Sequence, residues 1–199
     1  MTCIVGLVDN GTVWIGGDSA GVAGWNLLIR QDRKVFTNGP AIMGFTTSFR
    51  MGQLLEHALV VPEPPEDAAQ LQAYMCTTFV DAIRECLKLG GWASKNNDTE
   101  AGGDFLVGIC GRLFEINTDY QVGEAAAGFC AVGSGMTVAL GALASTSGLA
   151  PFDRIANALA VAEQFNAGVR RPFFVTSKRH VPVVPRKSAP KLHIVEAAE

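Results

Sequence analysis

The sequence predicts an α+β fold: a four-layer αββα sandwich, with two antiparallel sheets flanked by helix pairs. Three observations carry this. Two β-prone runs, "CIVGLVD" and "TVWIGGD", meet at Asn10-Gly11, where both residues accept positive φ and so favour a tight hairpin. Leu71, Met75, Phe79, Ile83 and Leu87 recur every four residues and mark one buried helix face. The order of elements is strands, two helices, strands, two helices, strand. That order argues for segregated α and β layers rather than a βαβ winding. Two packed sheets with a helix pair on each outer face satisfy every apolar face.

Taken in order, the first hairpin is followed by "AGVAGWN", which reads as a loop. "WNLLIR" and "KVFT" read as short strands. Asn38-Gly39-Pro40 is a turn and "AIMGFTT" a strand, so the N-terminal fifth reads as an antiparallel meander. "SFRMGQLLEHAL" carries apolar residues at helical spacing and is broken by "VPEPPED". A longer helix then starts near Asp67 and ends at Gly90-Gly91. "ASKNNDTEAGG" is a polar loop, after which "FLVGIC", "LFEIN" and "FCAVG" read as strands. Ser134 to Leu149 forms a Gly- and Ala-rich helix suited to close packing. "FDRIANALAVAEQF" is a further helix, with Phe152, Ile155, Leu159 and Ala162 in phase, and "PFFVTS" closes as a strand. The domain boundaries read as 1–176 for one domain, with Met1 removed from it, and 177–199 for a C-terminal extension, extended or disordered, with several prolines.

Composition bounds the function. The chain has 199 residues, 48% hydrophobic and 18% charged, which suits one domain with a substantial core. Net charge is −3 and the basic residues are scattered, so nothing favours a nucleic-acid partner. No apolar run reaches membrane-spanning length, and the first residues lack a basic n-region and cleavage site. Cys3, Cys76, Cys86, Cys110 and Cys130 are odd in number and show no C-x-x-C spacing. The reading is a reducing, cytoplasmic compartment.

Thr2 becomes the first residue once Met1 is trimmed. It then carries a hydroxyl nucleophile beside a free α-amine, whose pKa of roughly 7.7–8.0 lets it act as a base near neutral pH. Hairpin geometry puts residues 2 and 18 at one end of the paired strands. A lysine such as Lys34 near the amine lowers the amine's pKa, and Asp18 can hold that lysine. Structural roles remain open for each: Asp18 as a turn cap, Lys34 as a surface cation.

"TCIVGLVDNGTVWIGGDSAG" together with "RKVF" resembles the proteasome β-subunit group of N-terminal nucleophile (Ntn) hydrolases, in particular the bacterial HslV-like type. "GFTTSF" stands at that family's oxyanion loop, and "AVGSG" at its amine-contacting serine. The resemblance spans about residues 2–176 and is sharp over 2–49 and 129–145. It implies a threonine-type endopeptidase with Thr2 as nucleophile and base. Lys34 would tune Thr2, Asp18 orient Lys34, and Ser134 contact the amine. Thr47 would supply the oxyanion N–H, with Phe45 and Gly21 in substrate-binding positions. Ser134 and Phe45 keep alternative roles, as a helix N-cap and as core. The resemblance implies polypeptide substrates, a homo-oligomeric ring and an ATP-dependent unfoldase as partner, and calls for no cofactor or metal. Two departures stand out. Thr47 replaces the usual glycine, and Asn166 stands on the loop after the last helix where β-subunits carry an aspartate. A shell subunit without turnover, a non-proteolytic amide hydrolase and a β-rich binding module are the competing readings.

Overall fold

Asn10 and Gly11 take positive φ, 46° and 72°, and fold β1 (Ile4–Asp9) back onto β2 (Thr12–Gly17). The structure, a computed structural model, describes residues 1–96 and 98–180. Later strands are β3 (Ala20–Ala23), β4 (Asn26–Ile29), β5 (Val35–Asn38) and β6 (Ala41–Phe45). After the first helices come β7 (Ser94–Asn96), β8 (Thr99–Ala101), β9 (Phe105–Ile109), β10 (Arg112–Ile116), β11 (Val122–Gly123), β12 (Phe129–Val132) and β13 (Phe174–Arg179). The helices are α1 (Phe49–His57), α2 (Leu71–Tyr74), α3 (Val80–Leu89), α4 (Met136–Ser145) and α5 (Pro151–Phe165).

The architecture is α+β with antiparallel sheets. One sheet has four strands in the order β12-β1-β2-β13, and the other has five in the order β11-β10-β9-β6-β5. The period-2 alternation of β1 separates two cores. Ile4 joins Val13, Ile15, Val35, Ile42, Leu106 and Leu113, a cluster drawn from both sheets. Val5 and Leu7 instead pack with Ala139, Leu143, Ile155 and Leu159 of α4 and α5. A third cluster joins Met43, Val107 and Phe114 of the second sheet to Met51, Leu55, Ile83 and Leu87 of α1 and α3. The sheets approach closely because both carry glycine at the contact. A Cβ on Gly6 of the first sheet would stand 3.0 Å from Leu113, and one on Gly108 of the second would stand 2.5 Å from Val13. Overpacking of this kind costs about 1–3 kcal/mol.

The helix face expected from Leu71 to Leu87 is buried at all five positions. A strict four-residue spacing overshoots an α-helical turn by about 40° per step. A π-helical segment, Met75–Phe79, joins α2 to α3, and its wider turn takes up part of that drift.

Several readings are corrected. The N-terminal segment is not one meander: β1–β2 and β5–β6 lie in different sheets. Between them "AGVAGWN" is strand and turn, not loop, because β3 pairs with β4 in a separate hairpin. The polar loop contains the paired strands β7 and β8. Phe152 is 53% exposed and faces away from the core, whereas Ile155, Leu159 and Ala162 are buried. Ser177, Lys178 and Arg179 pair with Trp14, Val13 and Thr12, so the closing strand runs past 176. The remainder of the expected extension, 181–199, lies outside the described residues.

Candidate active site

Strand ends from both sheets meet at one edge of the molecule. Thr2 lies two residues ahead of β1, and Asp18 directly follows β2. Register brings them together: Ile4 opposes Gly17, and the next pair, Cys3 and Asp18, bond through the Asp18 N–H and the Cys3 carbonyl at 3.3 Å. Lys34 directly precedes β5, and Phe45, the last residue of β6, donates its N–H to the Lys34 carbonyl at 3.0 Å. Sequence-distant polar residues are thus delivered to one point by the pairing of their strands.

Lys34 is 2% exposed and Asp18 is 1% exposed, so neither is a surface group. The Lys34 ammonium donates to Asp18 Oδ1 at 2.8 Å and to Thr2 Oγ1 at 3.0 Å. Burying such a pair is favourable only when the remaining lone pairs are satisfied. Here they are: the Asp18 carboxylate also accepts from the N–H groups of Cys3 (3.0 Å), Ala20 (2.9 Å) and Arg170 (3.3 Å). Burial pulls the pKa of Lys34 below the ordinary lysine value, while the Asp18 charge and hydrogen bond oppose the fall. Burial, helped by the Asp18 charge, pushes the Cys3 thiol up to about 12, so this neighbour stays an un-ionised thiol.

The other side of Thr2 is built by the loop after β12. Gly133 has φ +94°, and a Cβ there would lie 2.4 Å from the Thr2 carbonyl oxygen, so only glycine fits. This brings the Gly135 N–H to the Thr2 carbonyl at 3.2 Å and Ser134 Oγ to the Thr2 nitrogen at 3.2 Å. Ser134 does not cap α4: the cap position is Gly135 and no side-chain cap bond forms. Its hydroxyl donates instead to Asn166 Oδ1 at 3.1 Å, and Asn166 Nδ2 donates back to the Ser134 carbonyl at 2.7 Å. The Thr2 carbonyl lies 3.4 Å from the same hydroxyl as a longer alternative acceptor, and towards the Thr2 N–H Ser134 Oγ is itself the acceptor. With Met1 attached, that nitrogen is an amide and the Thr2 hydroxyl donates to the Met1 carbonyl at 2.5 Å.

A small cleft of about 60 Å3 opens above Thr2, lined by Ala20, Val22, Lys34, Phe45, Thr46, Thr47, Ser48 and Phe49. Phe45 is 4% exposed within the helix-side core and also lines this cleft. Thr47 lies at the mouth with φ +63°. Gly21 is the one expected site residue that neither lines the cleft nor bonds to Thr2 or Lys34. It lies in the adjoining groove along β3 and β4, where a Cβ would stand 2.8 Å from Arg30. Among the described residues, no group of three or more His, Cys, Asp or Glu could hold a metal ion.

No protein-family model matches the sequence, and neither does any curated protein. Solved structures do match. BPH from Thiobacillus denitrificans, solved in complex with epoxomicin, aligns with a TM-score of 0.74 at 18% identity, covering 91% of this chain and 100% of that one. HslV from Trypanosoma brucei aligns at 0.65 with 19% identity, covering 90% and 100%. A Gly-1 mutant of Anbu from Hyphomicrobium sp. strain MC1 aligns at 0.62 with 15% identity, covering 90% and 82%. The fold is that of the proteasome-like Ntn hydrolases. On this proteasome-like fold, sequence reasoning missed three participants: Gly133, the Arg170 N–H and the double hydrogen bond of Asn166. Gly133 was legible in "AVGSG" only as part of a motif, since its contact with Thr2 spans the chain. Asn166 stood out as a polar residue, but its two bonds to Ser134 depend on how α5 ends.

Proposed function

We propose that this chain is a proteasome-like threonine peptidase that hydrolyses peptide bonds through Thr2. The observation that carries the reading is the Lys34 ammonium, buried and paired with Asp18, 3.0 Å from Thr2 Oγ1. A desolvated lysine with a specific charge partner, lining a cleft beside a hydroxyl, is a functional-site candidate. After loss of Met1, the Thr2 amine takes the proton of its own hydroxyl, and Oγ attacks the substrate carbonyl carbon. The oxyanion is met by the Thr47 N–H. Collapse leaves an ester on Thr2, and the amine passes the proton to the departing peptide amine. Water then cleaves the ester. Lys34 stabilises the developing negative charge on Oγ and disfavours the ammonium form of the amine.

The same proposal includes the four-layer αββα arrangement, supported by the three separate cores. It includes a self-compartmentalising homo-oligomeric ring, supported by exposed Trp25, Leu27, Leu28 and Ile29 on the β3–β4 hairpin, which leave an apolar surface for a neighbouring copy. An ATP-dependent unfoldase as partner and cytoplasmic residence complete the reading. A shell subunit without turnover is favoured by one observation only, threonine in place of glycine at 47.

The test is a cleavable tag ending directly before Thr2. Peptide hydrolysis should appear only after cleavage, with the fold unchanged by circular dichroism. Thr2→Ala should abolish it and Thr2→Ser should keep part of it. Equal hydrolysis before and after cleavage would sink the reading, and a 21 kDa monomer by native mass would sink the ring.

A further inference from the structure

We infer that the side chain of Thr47, and not only its backbone N–H, positions the oxyanion turn by clasping it to the segment that leads into β9. The inference rests on the peptidase reading above. A β-branched residue at φ +63° is disfavoured and persists only where its surroundings over-determine it. Two hydrogen bonds do so here. The Asp104 N–H donates to Thr47 Oγ1 at 3.1 Å, and the Thr46 N–H donates to the Asp104 carbonyl at 3.1 Å. The Asp104 carboxylate is itself held by the Thr118 hydroxyl at 2.8 Å. Gly103 leaves the space the threonine fills: a Cβ there would stand 3.0 Å from both Thr47 Cβ and Oγ1.

The clasp fixes the peptide plane between Thr46 and Thr47, which sets where the Thr47 N–H points. That N–H has no acceptor among the described residues, and the residue lines the cleft above Thr2. A glycine at 47 reaches the same φ without strain but leaves it as easily. Threonine trades that freedom for a side-chain bond, so the donor is oriented before the oxyanion forms.

A β-lactone tests this, because its carbonyl oxygen becomes an oxyanion when Thr2 Oγ attacks. The ring C–O bond breaks, Thr2 becomes an ester, and the amine hands the hydroxyl proton to the ring oxygen. Thr47→Gly should fold, since glycine tolerates the angle, and its melting temperature should stay within a few degrees of wild type. Its acylation rate, followed by intact mass, and its kcat on a peptide amide should fall roughly tenfold or more, with KM little changed. Thr47→Ser restores the oxygen and should stay within about threefold of wild type. Wild type and Thr47→Gly acylating at equal rates would overturn this inference alone. So would a fall in rate matched by a large fall in melting temperature, which would assign the side chain to the fold. Absence of any Thr2 ester in the wild-type chain, with Met1 removed, would overturn the peptidase reading and this inference with it.

Discussion

At one end of the two sheets, the Thr2 cleft encloses about 60 Å3 over Thr2, Lys34 and the Thr46–Ser48 turn. At the opposite end, a larger slot of about 280 Å3 lies between Val13, Pro40, Ile109 and Cys110. Lys178 marks the far end, but it is only half-buried and simply donates to the Gly39 carbonyl at 2.9 Å. Lys34 is buried, has its charge answered by Asp18, and reaches a hydroxyl. The larger cavity holds ordinary surface chemistry, while the smaller one holds a cation that burial has made less willing to stay charged. Size alone therefore picks the wrong end, and desolvated, satisfied charge picks the right one.

The strongest way to break the comparison is to remove the charges at the near end. Asp18→Ala leaves Lys34 buried without its counter-ion and three N–H groups without their acceptor. It should cost about 3–5 kcal/mol in denaturant unfolding. Lys34→Ala leaves the Asp18 carboxylate with those backbone donors, so the fold should hold while peptide turnover falls by ~10²-fold or more. Full turnover in the Lys34 variant would remove the distinction between the ends.

A smaller effect sharpens the near end. Asn166 is neutral and orients the Ser134 hydroxyl that faces the Thr2 nitrogen. Asn166→Asp places a carboxylate there. A nearby negative charge favours the ammonium form and raises the amine's pKa, against the lowering by Lys34 and alongside the Asp18 charge. The rising limb of the pH–rate profile should move to higher pH, by about one unit. An unmoved limb would mean that the amine is not the titrating base.

Much of this was legible in the sequence because it rests on local rules. Asn10-Gly11 announces its own turn, and Leu71 to Leu87 announce their own face. Thr2 and Asp18 were legible because a hairpin register converts spacing into proximity, and Lys34 because "RKVF" carries part of the resemblance. What escaped depends on the rest of the chain. "AGVAGWN" lacks strand propensity and is a strand only because β4 folds back on it. Phe152 is in phase with the buried residues, yet it sits in the first turn of α5, where little covers it. Thr47 carries no mark of a left-handed conformation, since threonine ordinarily avoids it. Its partners at Gly103 and Asp104 are more than fifty residues away.

The smallest expected effect lies at the far end. Lys178→Ala removes a bond to one carbonyl on an exposed strand end, and should change peptide turnover by less than about twofold and stability by about 0.5–1.5 kcal/mol. A large loss of turnover would mean that the two ends are coupled.

The Asp18 carboxylate has a consequence for the order in which the chain acquires its chemistry. Its acceptors are filled by residues 3, 20, 34 and 170, and the serine beside Thr2 comes from residue 134. Loop closure across such separations is slow, and the N-terminal strand must wait for partners synthesised at the far end of the domain. A nascent chain on the ribosome therefore carries its threonine for most of its synthesis without the lysine geometry, the serine or the backbone clasp around the aspartate. On the peptidase reading, the site is complete only once Arg170 has been added and Met1 removed, so a half-made copy holds no organised nucleophile.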